Sequence, residues 1–402
     1  MIIGLMSPRE ARAQSGVGGG PLTASLSDTE PETGVLRIGP VRLAPGVTIK
    51  EIGYDTNVFD ETAQEGPKED WVAAATPDVS VFARLRFVRI SAYAGSELTY
   101  YHEYESERSV GYNFRGRFDF LLSRMRPFVG GGRLETRTRP NGEIDTRADR
   151  AEDELSGGLA FDISPNALVY ASSAFSTTAY ENAIEDGVDL SQSLTKDRAE
   201  YQAGFKTDLT PLLSLQLYGS FTDDVFKYEP LRNATSSAAN ATFRIAADAV
   251  VTGFITVGYK DQQPVDPLAS EFRGFTGSAA IVYPFLEIGR FHFTANRGTE
   301  YSFDASEAYF VENSFSLSYT HLLFGEFDVQ VRGAKSFFDY SARVDSPPHT
   351  DTLDTVGGSV GYNLRNRTRI AGNYEFARRR SPEIASRNYD RRRYFLSWAF
   401  AF

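Results

Sequence analysis

The chain of 402 residues contains no cysteine, only two tryptophans and only four histidines. The lack of cysteine excludes a disulfide framework and any metal site built from thiolates. No apolar run approaches the roughly 20 consecutive residues that a membrane-spanning helix requires, so a helical membrane protein is excluded. The formal net charge of −11 argues against nucleic-acid binding, which depends on a basic surface.

The small number of histidines also limits the enzymatic interpretations. They are scattered along the chain as His102, His292, His321 and His349. A hydrolase needs a histidine beside a nucleophile and an orienting polar group, and the neighbours of His102 (Glu103) and His292 (Thr294) form no recognisable set. No phosphate loop, nucleophile elbow or metal-ligand spacing occurs. We therefore predict no catalytic residue, no metal and no cofactor.

What the chain does contain is abundant phenylalanine, tyrosine and glycine in alternating segments. From residue 41 to residue 402, stretches of roughly 10–13 residues place apolar and polar side chains on opposite faces. In one of them Val110, Tyr112 and Phe114 share a face, while Asn113 and Arg115 share the other. This alternation predicts β-strands with one face in apolar surroundings.

Short turns and longer polar connections join these strands in turn. The eight short turns lie at 84–87, 123–126, 164–167, 210–212, 248–251, 285–288, 322–325 and 365–367. The nine longer connections cover roughly 55–70, 105–109, 138–151, 181–197, 227–238, 261–271, 302–307, 339–351 and 379–390. The pattern predicts an all-β fold, a transmembrane antiparallel up-and-down β-barrel of about 18 strands with short periplasmic turns and longer outer loops.

A soluble two-layer sandwich would show the same alternation in any single strand, with its apolar faces packed together. The uniformity of the strands and the aromatic residues near strand ends favour the membrane barrel. Eighteen strands leave a water-filled lumen unless a loop folds inward. The longest outer connections, of about 13–17 residues, are expected to narrow the mouth but hardly to plug it.

Charged residues on the polar faces are the candidates for lining the lumen. They are Arg89, Glu97, Arg115, Arg117, Asp119, Arg133, Glu135, Arg244, Asp328, Arg332, Arg369 and Glu375. An arginine that faced hydrocarbon at the midplane would cost about 2–4 kcal/mol, so these side chains are expected in water. Because both signs occur, we expect no strong ion preference.

Two arginine triplets flank the last long connection, and they are Arg378, Arg379, Arg380 and Arg391, Arg392, Arg393. On an antiparallel hairpin the triplets lie at similar height near the outer rim. Six guanidinium groups there are suited to bind phosphates of lipopolysaccharide or acidic groups of a polysaccharide. The alternative is a solvated loop base in which the arginines pair with Asp390 and Glu383.

The N-terminal part of the chain is predicted to lie outside the barrel. Residues 1–13 are interpreted as the remnant of a signal peptide, because Ala11-Arg12-Ala13 matches an A-x-A cleavage site after a short apolar region. A tail with a chance match is the alternative. Residues 14–40 are rich in Gly, Ser, Thr and Pro and are predicted to be a flexible periplasmic segment. Residues 41–402 are assigned to the barrel.

The last strand carries alternate apolar residues up to the end of the sequence: Tyr394, Leu396, Trp398, Phe400 and Phe402. This ending resembles the C-terminal signal of bacterial outer-membrane barrels, in which a terminal phenylalanine closes the last strand. The resemblance implies barrel closure by these residues and a barrel assembly machinery as partner.

Residues 38–59, and above all Tyr54-Asp55-Thr56-Asn57-Val58-Phe59, resemble the opening of the beta-barrel porin type 2 family. The resemblance, together with the strand rhythm, covers about 41–402. It implies a channel for hydrophilic solutes in the outer membrane of a Gram-negative bacterium, in contact with lipid and lipopolysaccharide. Some members resemble export pores, which implies export of a secreted exopolysaccharide or capsule.

The sequence shows no helical-repeat domain that would guide a polymer, so export would require a separate periplasmic polysaccharide-export protein. Two other interpretations stay open. One is a closed structural or adhesin barrel, and the other is an outer-membrane hydrolase that uses His292 or His102.

Overall fold

The computed structural model describes residues 36–246, 249–286, 288–304, 307–342, 348–364 and 368–401. Eighteen long strands form one antiparallel sheet in which each strand pairs with the next along the chain. They are β1 (Val41–Asp55), β2 (Asp70–Arg84), β3 (Val88–Tyr101), β4 (Ser109–Phe120), β5 (Met125–Thr138), β6 (Ala148–Ser164), β7 (Ala167–Glu181), β8 (Lys196–Thr210), β9 (Leu213–Phe226), β10 (Ala234–Ile245), β11 (Thr252–Pro264), β12 (Phe272–Phe285), β13 (Gly289–Glu300), β14 (Glu307–Leu323), β15 (Phe327–Ala342), β16 (Thr350–Leu364), β17 (Thr368–Arg380) and β18 (Tyr389–Ala401).

The sheet closes on itself because β18 pairs with β1. Trp398 lies opposite Ile49 in this pairing, and Tyr394 lies opposite Tyr54. Closure removes the sheet edges, so the strands that meet at this seam also have backbone partners on both sides. The prediction of an antiparallel barrel of about 18 strands is confirmed.

The two ends of the barrel differ as the sequence indicated. Residues 165–166 suffice to connect β6 to β7, whereas residues 182–195 connect β7 to β8. The longer connection contains a small hairpin (Ile184–Glu185 with Val188–Asp189) and a short helix, Leu190–Leu194. Asp189 caps this helix by accepting a hydrogen bond from the Ser191 N–H at 2.9 Å. The other outer connections include the 3₁₀ turns Glu105–Glu107, Pro230–Arg232 and Ala385–Arg387.

Among the described residues, no helix combines the length and the apolar character needed to cross a bilayer.

A short strand, Leu36–Ile38, precedes β1 and pairs with its first residues. Pairing thus begins inside the segment 14–40 that the sequence predicts to be flexible. Residues 1–35, with the predicted signal peptide 1–13, lie outside the described residues, and so does Phe402.

Side chains alternate between two environments along each strand. On β4, Val110, Phe114 and Phe118 are exposed on the outer face. Val129 of β5 is paired with Phe118 and is exposed with it, because residues directly opposite each other point to the same side of a sheet. An exposed apolar surface that continues around a closed barrel fits lipid. The apolar faces do not pack against each other, as the sandwich alternative would require.

Aromatic pairs mark the outer face at two heights. Toward the outer loops, Tyr54 of β1 packs edge-on against Trp71 of β2 with 5.6 Å between ring centroids. Toward the short turns, Phe327 of β15 packs against Tyr362 of β16 with 4.9 Å between centroids. Transmembrane barrels carry such aromatic girdles at both interfaces of the bilayer. The apolar band between the two heights is therefore the membrane-facing part of the wall.

A charged side chain introduced near the middle of β16 should destabilise the protein on the outer face much more than on the inner face. Val356 faces outward and is 55% exposed, whereas its neighbour Thr355 faces the lumen opposite Ala334. Val356→Arg should lower the free energy of unfolding by about 2–4 kcal/mol, because the guanidinium would meet hydrocarbon. The matched control Thr355→Arg should change it far less. Reversible denaturant unfolding in lipid vesicles measures both values, and equal losses would contradict the assignment of the faces.

Candidate functional site: the lumen and its outer mouth

Most of the predicted lining residues lie on the inner face of the barrel. The strand registers place ten of the twelve there: Arg89, Glu97, Arg115, Arg117, Asp119, Arg244, Asp328, Arg332, Arg369 and Glu375. The opposite face of each strand carries the exposed apolar side chains. That these residues influence conduction stays a prediction.

Arg133 and Glu135 are the exceptions, and their predicted place in the lumen is wrong. In the β4–β5 pairing Arg133 lies opposite Phe114 and Glu135 lies opposite Tyr112, all on the outward face. Arg133 donates a hydrogen bond to Glu135 at 2.8 Å and another to Asp153 of β6 at 2.9 Å. The error has a physical cause. The strands extend beyond the apolar band on the outer side, where charged side chains occur on both faces.

The charges on the inner face pair along the wall. Arg117 Nε lies 2.9 Å from Asp119 Oδ1, and Arg89 of the neighbouring strand lies 3.3 Å from Asp119 Oδ2. Three further pairs join strands that are two positions apart around the barrel: Lys50–Glu97, Arg332–Glu375 and Arg369–Asp328. In these pairs the charges are compensated along the wall and not across the lumen.

A loop formed by residues 139–147, between β5 and β6, crosses the outer mouth. Within this crossing loop, Asn141 Nδ2 donates to Tyr301 O at 3.2 Å, and Glu143 accepts a hydrogen bond from Ser302 Oγ at 2.7 Å. Tyr301 and Ser302 follow β13, which lies on the far side of the barrel from β5. The crossing loop therefore joins opposite walls.

Arg379 of β17 holds the crossing loop from a third direction. Its side chain is 0% exposed. Nη1 donates to Glu143 O at 2.6 Å, and Nη2 donates to Asp351 Oδ2 at 2.9 Å. Arg387 Nη2 lies 3.7 Å from Glu143 Oε1. Charges removed from water are tolerated only when they are paired, so the cluster is stable in the docked position of the loop.

A small apolar core accompanies these ion pairs. Ile144 of the crossing loop, Leu190 of the β7–β8 connection and Phe303 of the β13–β14 connection are fully or almost fully buried together. Burial of such side chains contributes roughly 1.5–3 kcal/mol each. Three loops thus share one core at the mouth of the barrel.

The motif Tyr54–Phe59, which carries the family resemblance, contacts the outer mouth as well. Asp55 accepts a hydrogen bond from Arg391 Nε at 3.0 Å and one from the Asn57 N–H at 3.1 Å. Val58, which follows Asn57, is buried. Its carbonyl oxygen accepts a hydrogen bond from Arg139 Nη2 at 3.0 Å. The motif therefore links the β1–β18 seam to the crossing loop.

The outer mouth is thus more obstructed than the loop lengths indicated. The sequence places the connection 138–151 among the longer ones, but it does not indicate that residues 139–147 of this connection fold inward. The available signal was Ile144, a large apolar residue in an otherwise polar connection. Such a residue at a loop tip needs a place to be buried.

The two arginine triplets do not form one cluster, contrary to the prediction. The inward-facing members are Arg379, Arg391 and Arg393, and the outward-facing members are Arg378, Arg380 and Arg392. The reason is the period of two along a strand, which sends successive side chains to opposite faces. Arg379 and Arg391 bind the loops of the mouth, and Arg393 lies 3.3 Å from Glu375 inside the lumen.

The four histidines lie in different surroundings, and His321 Nδ1 is hydrogen-bonded to the Tyr319 hydroxyl group at 2.8 Å. His349 Nδ1 lies 3.4 Å from Glu307 Oε1, and its ring stacks on Tyr340. Within the described ranges, no hydrogen bond joins His102 or His292 to a carboxylate or a hydroxyl group. The same residues contain no group of histidine and carboxylate side chains suited to hold a metal.

The closed barrel, the charged inner wall and the loop across the mouth can be compared with known proteins. A family model described as "Putative beta-barrel porin 2" matches residues 32–402. The chain belongs to this family. Membership confirms the resemblance seen in residues 38–59, and it supports the outer membrane of Gram-negative bacteria as the location. The porin family and fold indicate a solute-passing channel rather than an enzyme.

Solved porins share this fold at low sequence identity. OccK2 (OpdF) from Pseudomonas aeruginosa superposes with a TM-score of 0.52 at 13% identity, over 90% of this chain and 98% of that chain. A BenF-like porin from Pseudomonas fluorescens Pf-5 gives a TM-score of 0.50 at 11% identity, over 90% of this chain and 99% of that chain. Identities this low support the fold alone. A search of curated proteins by sequence gives no match.

Removal of the buried guanidinium group of Arg379 should release the crossing loop from β17. Arg379→Gln removes the nearer of two guanidinium groups beside Asp351, since Arg387 Nη1 lies 3.9 Å from Asp351 Oδ2. Breaking a buried ion pair costs about 3–5 kcal/mol. We expect the loop to undock while the wall stays folded, so that single-channel conductance in planar bilayers rises. The control is Arg378→Gln, one residue earlier on β17, whose side chain points outward and is 46% exposed. Equal conductance in the two variants would contradict the role of Arg379.

Docking of the crossing loop should also depend on pH. Burial raises the pKa of Glu143 to about 7, although Arg387, Arg379 and hydrogen bonds from Ser302 and Phe303 oppose the shift. Burial also raises the pKa of Asp145. In the undocked loop these carboxyl groups are solvated and lose their protons at lower pH, near 4. The docked state therefore loses stability as the pH rises through this interval.

We accordingly expect conductance to increase between about pH 5 and pH 8. Glu143→Gln removes one of the titrating carboxyl groups and should reduce the dependence, with the low conductance kept at pH 8. Glu65→Gln, in the exposed part of the first outer loop, is the matched control and should behave as the parent. A pH profile that Glu143→Gln leaves unchanged would argue against this origin.

Proposed function

We propose that the protein is a selective channel for small hydrophilic solutes, with an outer entrance set by the crossing loop. The observation that carries the proposal is the contact of residues 139–147 with the opposite wall of a barrel whose inner face is charged. An eighteen-stranded wall without such a loop would enclose a wide aqueous pore.

The inner wall suits polar solutes of either charge. Its ion pairs are spread around the barrel, with Arg89 and Arg117 at Asp119 and, in another part of the wall, Arg332 at Glu375. A charged or hydroxylated solute can exchange hydrogen bonds with such a wall in place of water. The alternating signs favour passage without tight binding of one ion type.

Two structures of similar fold contain small ligands. OccK2 (OpdF) has been solved in complex with glucuronate, and OpdK with vanillate. Their identities to this chain, 13% and 10%, support the fold alone. We propose solutes of this size class for the present channel on the basis of its narrowed mouth.

Export of a polysaccharide, which the family resemblance implied, gains no support from the described residues or from the comparisons. A polymer would have to displace the crossing loop together with its buried contacts at Arg379 and Phe303. The docked mouth thus favours small solutes over a continuous chain.

A closed structural barrel is the second candidate, and the apolar core of the mouth is the observation that favours it. Ile144, Leu190 and Phe303 exclude water where they meet. The two candidates differ in one measurable property, which is passage of solute through the protein with the loop docked.

Liposome swelling with a graded series of sugars should separate the candidates. We expect the parent protein to pass arabinose quickly, raffinose slowly and dextran not at all. A variant that lacks residues 140–144 should pass raffinose faster, because the crossing loop can no longer span the mouth. A variant that lacks residues 62–66, at the exposed tip of the first outer loop, is the control of equal length.

No swelling by the parent combined with swelling by the 140–144 deletion would favour the closed barrel and overturn the channel proposal. Rapid dextran entry through the parent would overturn the size limit and revive the polymer interpretation.

A further inference from the structure

The outward-facing arginines at the outer end of β17 and β18 form a compact group. Arg378 and Arg380 of β17 and Arg392 of β18 point to the same side as the lipid-facing residues. We call these three residues, together with Asp390, the rim patch. Its three arginines are the outward-facing members of the two arginine triplets. The inward-facing members, Arg379, Arg391 and Arg393, contact residues of the mouth and the lumen.

One carboxylate serves two of the three guanidinium groups. Asp390 accepts a hydrogen bond from Arg378 Nε at 3.1 Å and from Arg380 Nη2 at 2.8 Å. The side chains of Arg378, Arg380 and Asp390 remain 46%, 44% and 40% exposed. Within the described residues, Arg392 has no carboxylate partner. The rim patch therefore has a net positive charge, because it contains three arginines and only one aspartate.

Aromatic rings fix the height of the rim patch relative to the membrane. The guanidinium carbons of Arg378 and Arg392 lie 5.3 Å and 5.7 Å from the ring centroid of Phe376. Tyr374 and Tyr394, one position further toward the short turns on the same face, pack with their ring centroids 5.1 Å apart. These rings belong to the outer girdle. The arginines thus lie immediately above the apolar band, at the level of lipid headgroups.

Two other outward-facing cations of the outer wall, Arg133 and Lys335, lie beside carboxylates. Arg133 is shared by Glu135 and Asp153. Next to the rim patch, Lys335 and Asp354 form a balanced pair, with Lys335 Nζ 2.9 Å from Asp354 Oδ1. The rim patch combines three guanidinium groups with one carboxylate, on a chain whose formal net charge is −11.

We propose that the rim patch binds the headgroup phosphate of a phosphorylated glycolipid in the outer leaflet. Arginine is suited to this role because its planar guanidinium group can donate two parallel hydrogen bonds to a phosphate. The acyl chains of the same molecule would lie against Tyr374, Tyr394 and Leu396 on the exposed face below. A free phosphate would gain nothing from this apolar surface, so a lipid is the expected occupant.

Binding of lipid A to the purified full-length protein in detergent tests the proposal. The variant Arg378→Gln/Arg392→Gln removes two cations of the patch and leaves Arg380 with Asp390. The matched control is Arg273→Gln/Arg297→Gln, which removes two cations of the outward face on β12 and β13. Native mass spectrometry with bisphosphorylated and dephosphorylated lipid A measures the dissociation constants, and heat-modified migration verifies folding.

We expect the rim variant to raise the dissociation constant for bisphosphorylated lipid A about tenfold or more, since charge-assisted hydrogen bonds are lost. The control should remain within about twofold of the parent. Equal affinity in parent and rim variant would overturn the proposal. So would equal affinity of the parent for dephosphorylated lipid A.

An acidic polysaccharide is the other ligand that arginine groups at this rim are suited to bind. Alginate binding that is lost in the rim variant, with unchanged lipid A binding, would overturn the lipid assignment. Swelling rates of the rim variant should equal those of the parent, because the patch lies outside the lumen. The lipid proposal and the channel proposal can therefore fail separately.

Discussion

Every backbone N–H and C=O group within the hydrocarbon must be hydrogen-bonded inside the chain, because lipid offers no partner. The pairing of β18 with β1 meets this constraint at the seam where an open sheet would have two edges. The remaining features depend on that closure. It separates an inner face from an outer face, so that one strand can carry both Arg332 toward water and Val331 toward lipid.

The wall could be predicted from the sequence because its rule is local. The period of two assigns each residue of a strand to the inner or the outer face, and the positions of the turns show where each strand begins and ends. This reasoning placed Asp328, Arg369 and Glu375 correctly on the inner face. It failed for Arg133 and Glu135 because the strands continue past the membrane, where the environment on both sides is aqueous. The sequence does not mark where lipid ends.

The mouth could not be predicted because its contacts are not local. Nothing near Glu143 in the sequence indicates that Ser302 and Arg379 will surround it. Likewise, the arginine triplets are adjacent in sequence and separated in space, since β17 and β18 direct alternate side chains to opposite sides. Composition shows that cations are concentrated there. Only the register shows that Arg379 and Arg391 face inward and pair with Asp351 and Asp55, while Arg378 and Arg392 face the membrane surface.

The attachment of the crossing loop to β17 has a consequence for biogenesis. Glu143 and Arg379 are 236 positions apart in the sequence, and Asp55 and Arg391 are 336 apart. Bringing such distant segments together has a loop-closure entropy cost that precedes the gain from their contacts. The mouth is therefore completed only after the C-terminal hairpin has joined the barrel. A barrel that lacks β17 would therefore also lack the side chain that anchors the crossing loop at Glu143.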